Sequence, residues 1–485
     1  MKEIRNLTML SDFYEFTMAN GYYENGMKDT IAVFDAFYRK NPDGGGYAIF
    51  AGLNDIISYI KNLHFTDEDI EYFKAQGGFS DGFLEYLRNF KFTGDVYAFP
   101  EGSVMFPGEP IVTIKAPIIE CSIIETYLLL SMNFNSLIAT KTNRIVNSAG
   151  DRLVMEFGAR RAQGADASIT GARAAYIAGA PITSNTYSAK KYGFKASGTM
   201  AHSWIQAFDT EYEAFKTYAK MYPENCILLI DTYDTLESGL VNAMKVFKEE
   251  LVPKGLTGGV RIDSGDLAYL SKEVRKRLDE NGFEDFKIVA SNSLDEFKIE
   301  SLLAQGAKID SFGIGERLIT AKSDPVFGGV YKLVAIEKDG DLEAKIKVSE
   351  NVEKITTPGF KKVYRLYDAE TGKAEADYIA LRDEEVDDSE PLVIFDPLFT
   401  WKMKKMKNYK AREMQVKIFE KGELVYDEPS LDDIAEYRKE EVESLWDEVK
   451  RYDAPHNYYV DLSQKLWNLK QKLILEAKSK SKLPA

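Results

Sequence analysis

Cysteine and histidine are almost missing from this chain. Cys121 and Cys226 are the only thiols, and His64, His202 and His456 the only imidazoles, in 485 residues. Two cysteines build neither a disulfide framework nor a zinc knuckle. The histidines lie in separate segments without H-x-x-x-H spacing, so the sequence leaves any metal ligands unknown. Long apolar runs are missing too. The greasiest stretch, IIECSIIETYLLL at 118–130, carries two glutamates and is too short for a membrane span. The first residues, MKEIRNLTMLSDFYEF, contain no extended apolar segment, so no secretory signal is expected and the protein is expected to be cytoplasmic. Positive charge is in deficit, with 62 Lys and Arg against 77 Asp and Glu and a formal net charge of −15. That balance excludes an electrostatic nucleic-acid partner but not a small anionic substrate, because local Arg and Lys clusters override net charge. The G-x-S-x-G turn of serine hydrolases is absent. No lysine sits inside an apolar strand, as a Schiff-base lyase would need.

What is present suffices for two or three domains: 45% of the residues are hydrophobic and 29% charged. Residues 1–135 read as an α+β domain. The segment NLTMLSDFYEFTMANGYYENG has helical spacing behind a Ser11 or Asp12 cap, TIAVFDAFYRK alternates as a strand, and NPDGGG is a turn. Residues 95–117 read as short strands interrupted by Pro and Gly. From about 136 to 345 the texture changes. Short apolar runs end in small or polar residues and lead into helical segments: RLVMEFGARRAQG, CILLIDTYDT, GGVRIDSGDL, KIVASNSLDE and KIDSFGIGER. Their spacing, mostly about 20–35 residues, suits βα units, and continuous apolar runs suit buried parallel strands. The expected fold is α/β: an irregular (β/α) barrel, or a doubly wound sheet, behind an N-terminal α+β domain. Residues 346–485 return to alternating strands, then become a charged helical C-terminal extension.

In a barrel the reactive side chains gather at the C-terminal strand ends. Here those ends carry Arg160, His202, Asp231, Asp263, Ser291, Gly313 and Gly315. In GVRIDSGD, Asp263 suits ribose hydroxyls or a Mg²⁺ shell, while Ser264 and Asp266 equally suit a helix N-cap. In SFGIGER, Gly313 and Gly315 offer backbone amides to a phosphate, helped by the following helix; a plain turn reads the same way. The neighbouring SNSLDE adds Ser291. In FGARRAQG, Arg160 and Arg161 suit bidentate phosphate contacts or surface ion pairs, and Phe157 offers a ring face. GTMAHSWIQAF places His202 among small and apolar neighbours. A core histidine bonded to a carbonyl is one reading. The other pairs it with Asp231, whose carboxylate would fix the tautomer and leave the second nitrogen nucleophilic.

Together LSDFYEFTMANGY, EFGARRAQG, GTMAHSW, LIDTYDT, VRIDSGD and FGIGERLITAKSDPVFGGVYKL closely resemble the nicotinate phosphoribosyltransferase family, in its order, over residues 7–332. The resemblance implies an N-terminal α+β domain, an irregular α/β barrel and a C-terminal extension. It implies nicotinate and phosphoribosyl pyrophosphate as substrates, with Mg²⁺ and coupled ATP hydrolysis, giving nicotinate mononucleotide and pyrophosphate in NAD salvage. By the same resemblance, ATP phosphorylates His202, Asp231 is its partner and Arg160 binds phosphate. Asp263 holds the ribose hydroxyls and Arg261 reaches toward the pyridine. Ser291 and Gly315 form the 5′-phosphate cradle, with Lys332 near it. Phe157 and Tyr14 sandwich the pyridine, Tyr14 coming from the other subunit of a homodimer with shared sites. The segment GAPITSNT, 179–186, holds no acid, and Thr183, Ser184 and Asn185 are expected to receive a carboxylate rather than an amide. Rival readings are a nicotinamide- or quinolinate-using sister enzyme, a phosphate-binding barrel lyase or isomerase, and a non-enzymatic sugar-phosphate sensor.

Overall fold

Five of the apolar runs picked out above are strands of one sheet. The computed structural model describes residues 5–351 and 354–480, so residues 352–353 and 481–485 of the expected C-terminal region lie outside the described residues. The chain forms two compact units, the first made of Met1–Leu137 together with Val326–Ala485 and the second of Ile138–Pro325.

The unit Ile138–Pro325 is built on seven parallel strands: β1 (Leu153–Glu156), β2 (Ile182–Thr183), β3 (Lys195–Ala196), β4 (Ile227–Leu229), β5 (Gly259–Ile262), β6 (Lys287–Ser291) and β7 (Ser311–Ile314). Their hydrogen-bonded order is β3-β2-β1-β7-β6-β5-β4. Chain order is therefore followed around a circle. The last strand pairs with the first, Ser311 opposite Leu153 and Ile314 opposite Glu156. Among the described residues the only unpaired join is between β3 and β4, so the barrel is irregular and open along one seam. Buried side chains on consecutive positions of β5, β6 and β7 explain why these strands read as unbroken apolar runs. Helices Leu267–Asp279 and Glu296–Ala304 follow β5 and β6, capped by the side chains of Asp266 and Asp295. Glu296 is fully buried and held by Lys141 at 2.9 Å and Arg144 at 2.8 Å.

The other unit is antiparallel at its centre. Strand Ile31–Phe37 lies between Val112–Pro117 and Val330–Lys338 in a seven-stranded sheet. Segment 326–345, grouped by sequence with the barrel, thus supplies a strand to this sheet. Lys361–Asp368 and Ala374–Leu381 form the middle of a four-stranded sheet, flanked by Tyr409–Glu413 and Tyr459–Leu462. Helices Phe13–Glu24 and Leu431–Ser444 start where the sequence placed them, the second behind a Ser430–Asp433 capping box. The strand expected at 31–37 forms, but its burial does not alternate: Ala32, Val33, Asp35 and Ala36 are buried in adjacent pairs, as suits a central strand covered on both faces. Among the described residues no helix is long and apolar enough to cross a membrane. Both cysteines are free and buried.

Candidate active site

Residues just past β4, β5 and β6 join in one polar network. Arg261, inside β5, extends its guanidinium across the strand ends. Its Nε donates to Ser291 Oγ at 2.9 Å, Nη2 to Asp263 Oδ1 at 3.0 Å and Nη1 to Thr199 Oγ1 at 3.1 Å. Ser291 Oγ donates in turn to Asp263 Oδ1. Asp231, after β4, accepts from the Asp263 amide at 2.9 Å and from Ser264 Oγ at 2.6 Å, both on its Oδ2. Its Oδ1 is buried without a hydrogen-bond partner. A carboxylate oxygen kept in that condition carries a cost of about 1–3 kcal/mol, which a bound donor or cation would relieve.

That oxygen faces His202 Nε2 at 3.9 Å, too long for a hydrogen bond. The expected Asp231–imidazole bond is replaced by a contact from His202 Nδ1 to Thr232 Oγ1 at 3.0 Å. The bond fails on distance and not on competition, because Oδ1, the oxygen that faces the ring, has no other partner. Nor does His202 stand at a strand end: it begins the short helix His202–Gln206 in the connection across the open seam. Its side chain is 41% exposed, which argues against a packed core histidine.

The β5 turn divides its two acids as the alternatives allowed. Asp263 enters the network, while Asp266 accepts from the Tyr269 amide at 3.0 Å as helix cap. Gly265 between them has φ +77°, a conformation open to glycine and costly for other residues. After β6, Asn292 (φ 109°) and Ser293 (φ 45°) take successive positive φ values without being glycine. Such backbone strain concentrates at ligand-holding turns.

Gly313 lies within β7 rather than beyond it, between Ser291 and Met155. A Cβ there would stand 2.7 Å from the Phe157 ring, so the glycine makes room for that ring. Gly315 does lie past the strand, but the helix after it, Glu316–Ile319, is a single turn with little dipole to offer a phosphate. Arg160 and Arg161 are exposed on the turn Ala159–Arg161. Tyr14 and Lys332 belong to the other unit. Tyr14 is half exposed on helix Phe13–Glu24, and Lys332 Nζ donates to the Tyr331 carbonyl at 2.5 Å.

Glu156 is a site-forming residue that the sequence hid inside the run LVMEF. It is fully buried, and its carboxylate accepts from Thr183 Oγ1 at 2.5 Å and from the Gly158 amide. Burial pushes it above the usual carboxylate range, and those two hydrogen bonds pull back. Thr183 is thereby committed, and Asn185 caps helix Thr186–Tyr192 through Ser188 at 3.1 Å. Of the three groups expected to meet a substrate carboxylate, only Ser184 stands exposed and outside these bonds. Thr232 and Thr199 also carry no signal of their own, because their roles depend on where distant segments meet.

No cluster of three or more His, Cys, Asp or Glu side chains suited to a metal ion occurs among the described residues. The donor set instead suits a cation that brings substrate phosphates with it. Such Mg²⁺ ions need only one or two protein carboxylates, and Asp231 presents an unpartnered oxygen.

Comparison with known proteins agrees from end to end. The nicotinate phosphoribosyltransferase N-terminal domain model matches residues 9–133, the family's own model residues 153–356, and its C-terminal domain model residues 360–470. The nicotinate phosphoribosyltransferase of Bacillus subtilis is 46% identical over 475 residues, covering 98% of this chain and 96% of the relative. That of Caenorhabditis elegans is 34% identical, covering 96% and 93%. The crystal structure of human nicotinic acid phosphoribosyltransferase superposes with a TM-score of 0.82 at 28% identity, covering 96% of this chain and 99% of that one.

Proposed function

The chain belongs to the nicotinate phosphoribosyltransferase family, and from that premise we propose that it joins nicotinate to phosphoribosyl pyrophosphate, yielding nicotinate mononucleotide and pyrophosphate, with ATP hydrolysis coupled through a phosphate on His202. The setting would be cytoplasmic NAD salvage. The observation that supports this most is the strand-end network, in which Arg261, Asp263 and Ser291 are locked together while Asp231 keeps one buried oxygen without a partner.

The pyridine nitrogen of nicotinate attacks the ribose C1 as the bond to pyrophosphate breaks, through a cationic, oxocarbenium-like ribose. The nitrogen lone pair is the nucleophile, so no general base is required. The chain's task is to position the reactants and exclude water. Asp263 is placed for the ribose hydroxyls, and its negative charge sits beside the developing cation. Arg261 holds Asp263 in position and points toward the pyridine carboxylate. Gly315 offers the 5′-phosphate its amide, and Ser291 its hydroxyl once that turns from Asp263, with Lys332 in support. Arg160 takes pyrophosphate oxygens. Phe157, seated over Gly313, provides one face for the ring. Tyr14 of a second subunit provides the other in a homodimer with shared sites. Mg²⁺, held by Asp231 and the substrate phosphates, would neutralise the leaving pyrophosphate.

For ATP coupling, His202 Nε2 attacks the γ-phosphorus, a P–N bond forms, and ADP leaves with the electrons of the broken P–O bond. Thr232 fixes the ring through Nδ1, which keeps Nε2 free. The phosphohistidine adds about two negative charges beside Asp231, drawing Mg²⁺–pyrophosphate chemistry to the site until water cleaves the P–N bond. Nicotinate is favoured over nicotinamide because Ser184 donates a hydroxyl and the acid bonded to this segment, Glu156, is buried with Thr183 on it. The acid should be preferred by at least about a hundredfold in kcat/KM, since an unpaired buried polar group costs about 1–3 kcal/mol.

The deciding assay measures ATP hydrolysis by the purified protein, alone and with nicotinate plus phosphoribosyl pyrophosphate. Hydrolysis stimulated by that pair, and not by nicotinamide or quinolinate with the same donor, is expected. No stimulation, or stimulation by the amide, would overturn the reading.

A further inference from the structure

The first unit contains a cavity of about 320 Å³ that shares no residue with the strand-end network. One wall is the strand Ile31–Phe37 and the residues after it. The opposite wall is the C-terminal helix Gln464–Lys480, and the turn through Thr357 closes one side. Its apolar lining comes from Trp467, Ile474, Ile379 and Leu398.

The charges in the cavity do not cancel. Lys361, almost fully buried, donates to Asp35 Oδ2 at 2.7 Å and to the carbonyls of Thr357 at 2.8 Å and Gly359 at 2.7 Å. All three of its protons are thereby placed. Asp35 takes a further hydrogen bond from Thr113 Oγ1 at 2.6 Å. This pair is complete and locally neutral. Lys470 is different. Its ammonium donates to the Thr357 hydroxyl at 3.2 Å, and no carboxylate pairs with it among the described residues. Burial, with Lys361 repelling it, lowers Lys470 to about 8. It still carries its charge at neutral pH, with no counter-ion beside it among the described residues. Arg39 also borders the cavity.

We propose that this cavity is a binding site for a small organic monoanion with an apolar body, a medium-chain carboxylate in chemical class. The carboxylate would pair with Lys470 and the chain would lie against Trp467, Ile474 and Leu398. A polyanion such as a nucleotide is disfavoured, because Asp35 lies in the same cavity and Lys361 is already spent on it. The volume is at the small end for ligand pockets, which fits a body of about ten non-hydrogen atoms.

Calorimetric titration of the full-length protein at pH 7 with octanoate tests this, with octanol as the uncharged probe of equal shape. One octanoate per chain is expected, bound at least tenfold more tightly than octanol. Lys470→Met should weaken octanoate at least tenfold, while Lys470→Arg, which keeps the charge, should retain it within about threefold. A thermal melt of each variant establishes that it is folded. If Lys470→Met does not fold, the octanol and Lys470→Arg arms decide. Absence of octanoate binding to the wild type, equal binding of octanol, or unchanged binding by folded Lys470→Met would overturn the proposal.

Discussion

Arg365 in the first unit and Arg261 in the second each grip an aspartate and a neighbouring oxygen, and they differ in what is left over. Arg365 is fully buried. It makes a bidentate pair with Asp377 at 2.9 and 2.7 Å, reaches Glu441 at 2.6 Å and donates to the Val104 carbonyl at 3.0 Å. Tyr458 completes Asp377 at 3.0 Å. Glu109, buried beside Asp377, is pushed well above the usual carboxylate range by burial and by that charge. A proton there spares the cluster a third negative charge. Glu109 Oε1 is buried without a partner except where a proton on Glu109 bridges to Asp377, so with that proton the cluster is closed, and it ties the strand Lys361–Asp368 to its neighbour and to helix Leu431–Ser444. Arg261 sits in a cluster that is half open to solvent and leaves one oxygen of Asp231 unserved. One arrangement is satisfied within the fold, whereas the other leaves an oxygen that the proposed substrates and cation would serve.

The comparison breaks most sharply at Arg365. Arg365→Met should strand Asp377 and Glu441 and cost about 3–5 kcal/mol of stability, read as a lower midpoint in chemical denaturation. A midpoint unchanged within error would mean that the closed cluster holds nothing together. On the open side, His202→Ala should lose all ATP stimulation and all phosphate transfer from labelled ATP, yet keep slow ATP-independent phosphoribosyl transfer. Retained labelling of the protein would place the phosphate elsewhere.

Glu15 lies between the two cases, a carboxyl with no counter-charge, fully buried in the first unit and pushed up to about 7 by burial and by Glu125. Because its folded value lies above its unfolded value of 4.5, the folded state holds the proton longer. Stability therefore falls as pH rises from about 4.5 to about 7 and levels off above that. Glu15→Gln should gain about 2–3 kcal/mol at pH 8 and little at pH 4, a difference that paired denaturation curves would detect. Equal effects at both pH values would contradict the burial argument. The smallest signal belongs to the shared site. Exchanging subunits between Tyr14→Ala and Arg160→Ala variants, each inactive alone, should restore about a quarter of wild-type activity, one intact site in each mixed dimer. Verified exchange without recovery would remove Tyr14 from the partner's site.

Much of the barrel was legible because buried parallel strands write themselves as apolar runs. LVME, ILL, GVRI, KIVAS and SFGI are all strands. β2 and β3 were not legible, since Ile182–Thr183 and Lys195–Ala196 are too short to show any period. The pairing of Val330–Lys338 with Ile31–Phe37 leaves no local trace, because it joins segments far apart in the sequence, Ala32 opposite Ile336. At the site, strand-end position singled out Asp231, Asp263 and Ser291. It said nothing of Thr232 reaching His202, which needs the segment spanning the open seam to be in place. Glu156 stayed hidden because a buried acid inside an apolar run looks like part of the strand until Thr183 is seen on it. The sequence also assigned Gly313 to a phosphate, whereas its missing side chain accommodates Phe157.

Asp231→Asn gives the most direct test of the open cluster, because asparagine keeps the shape and can still accept from Asp263 and Ser264. Denaturation and nicotinate mononucleotide formation would be measured on one preparation. The midpoint should stay within about 1 kcal/mol of wild type, while the ATP-stimulated rate falls at least about a hundredfold. A variant with full ATP-stimulated rate, or one whose lost activity is matched by lost folding, would show that the strand-end network is structural like that of Arg365.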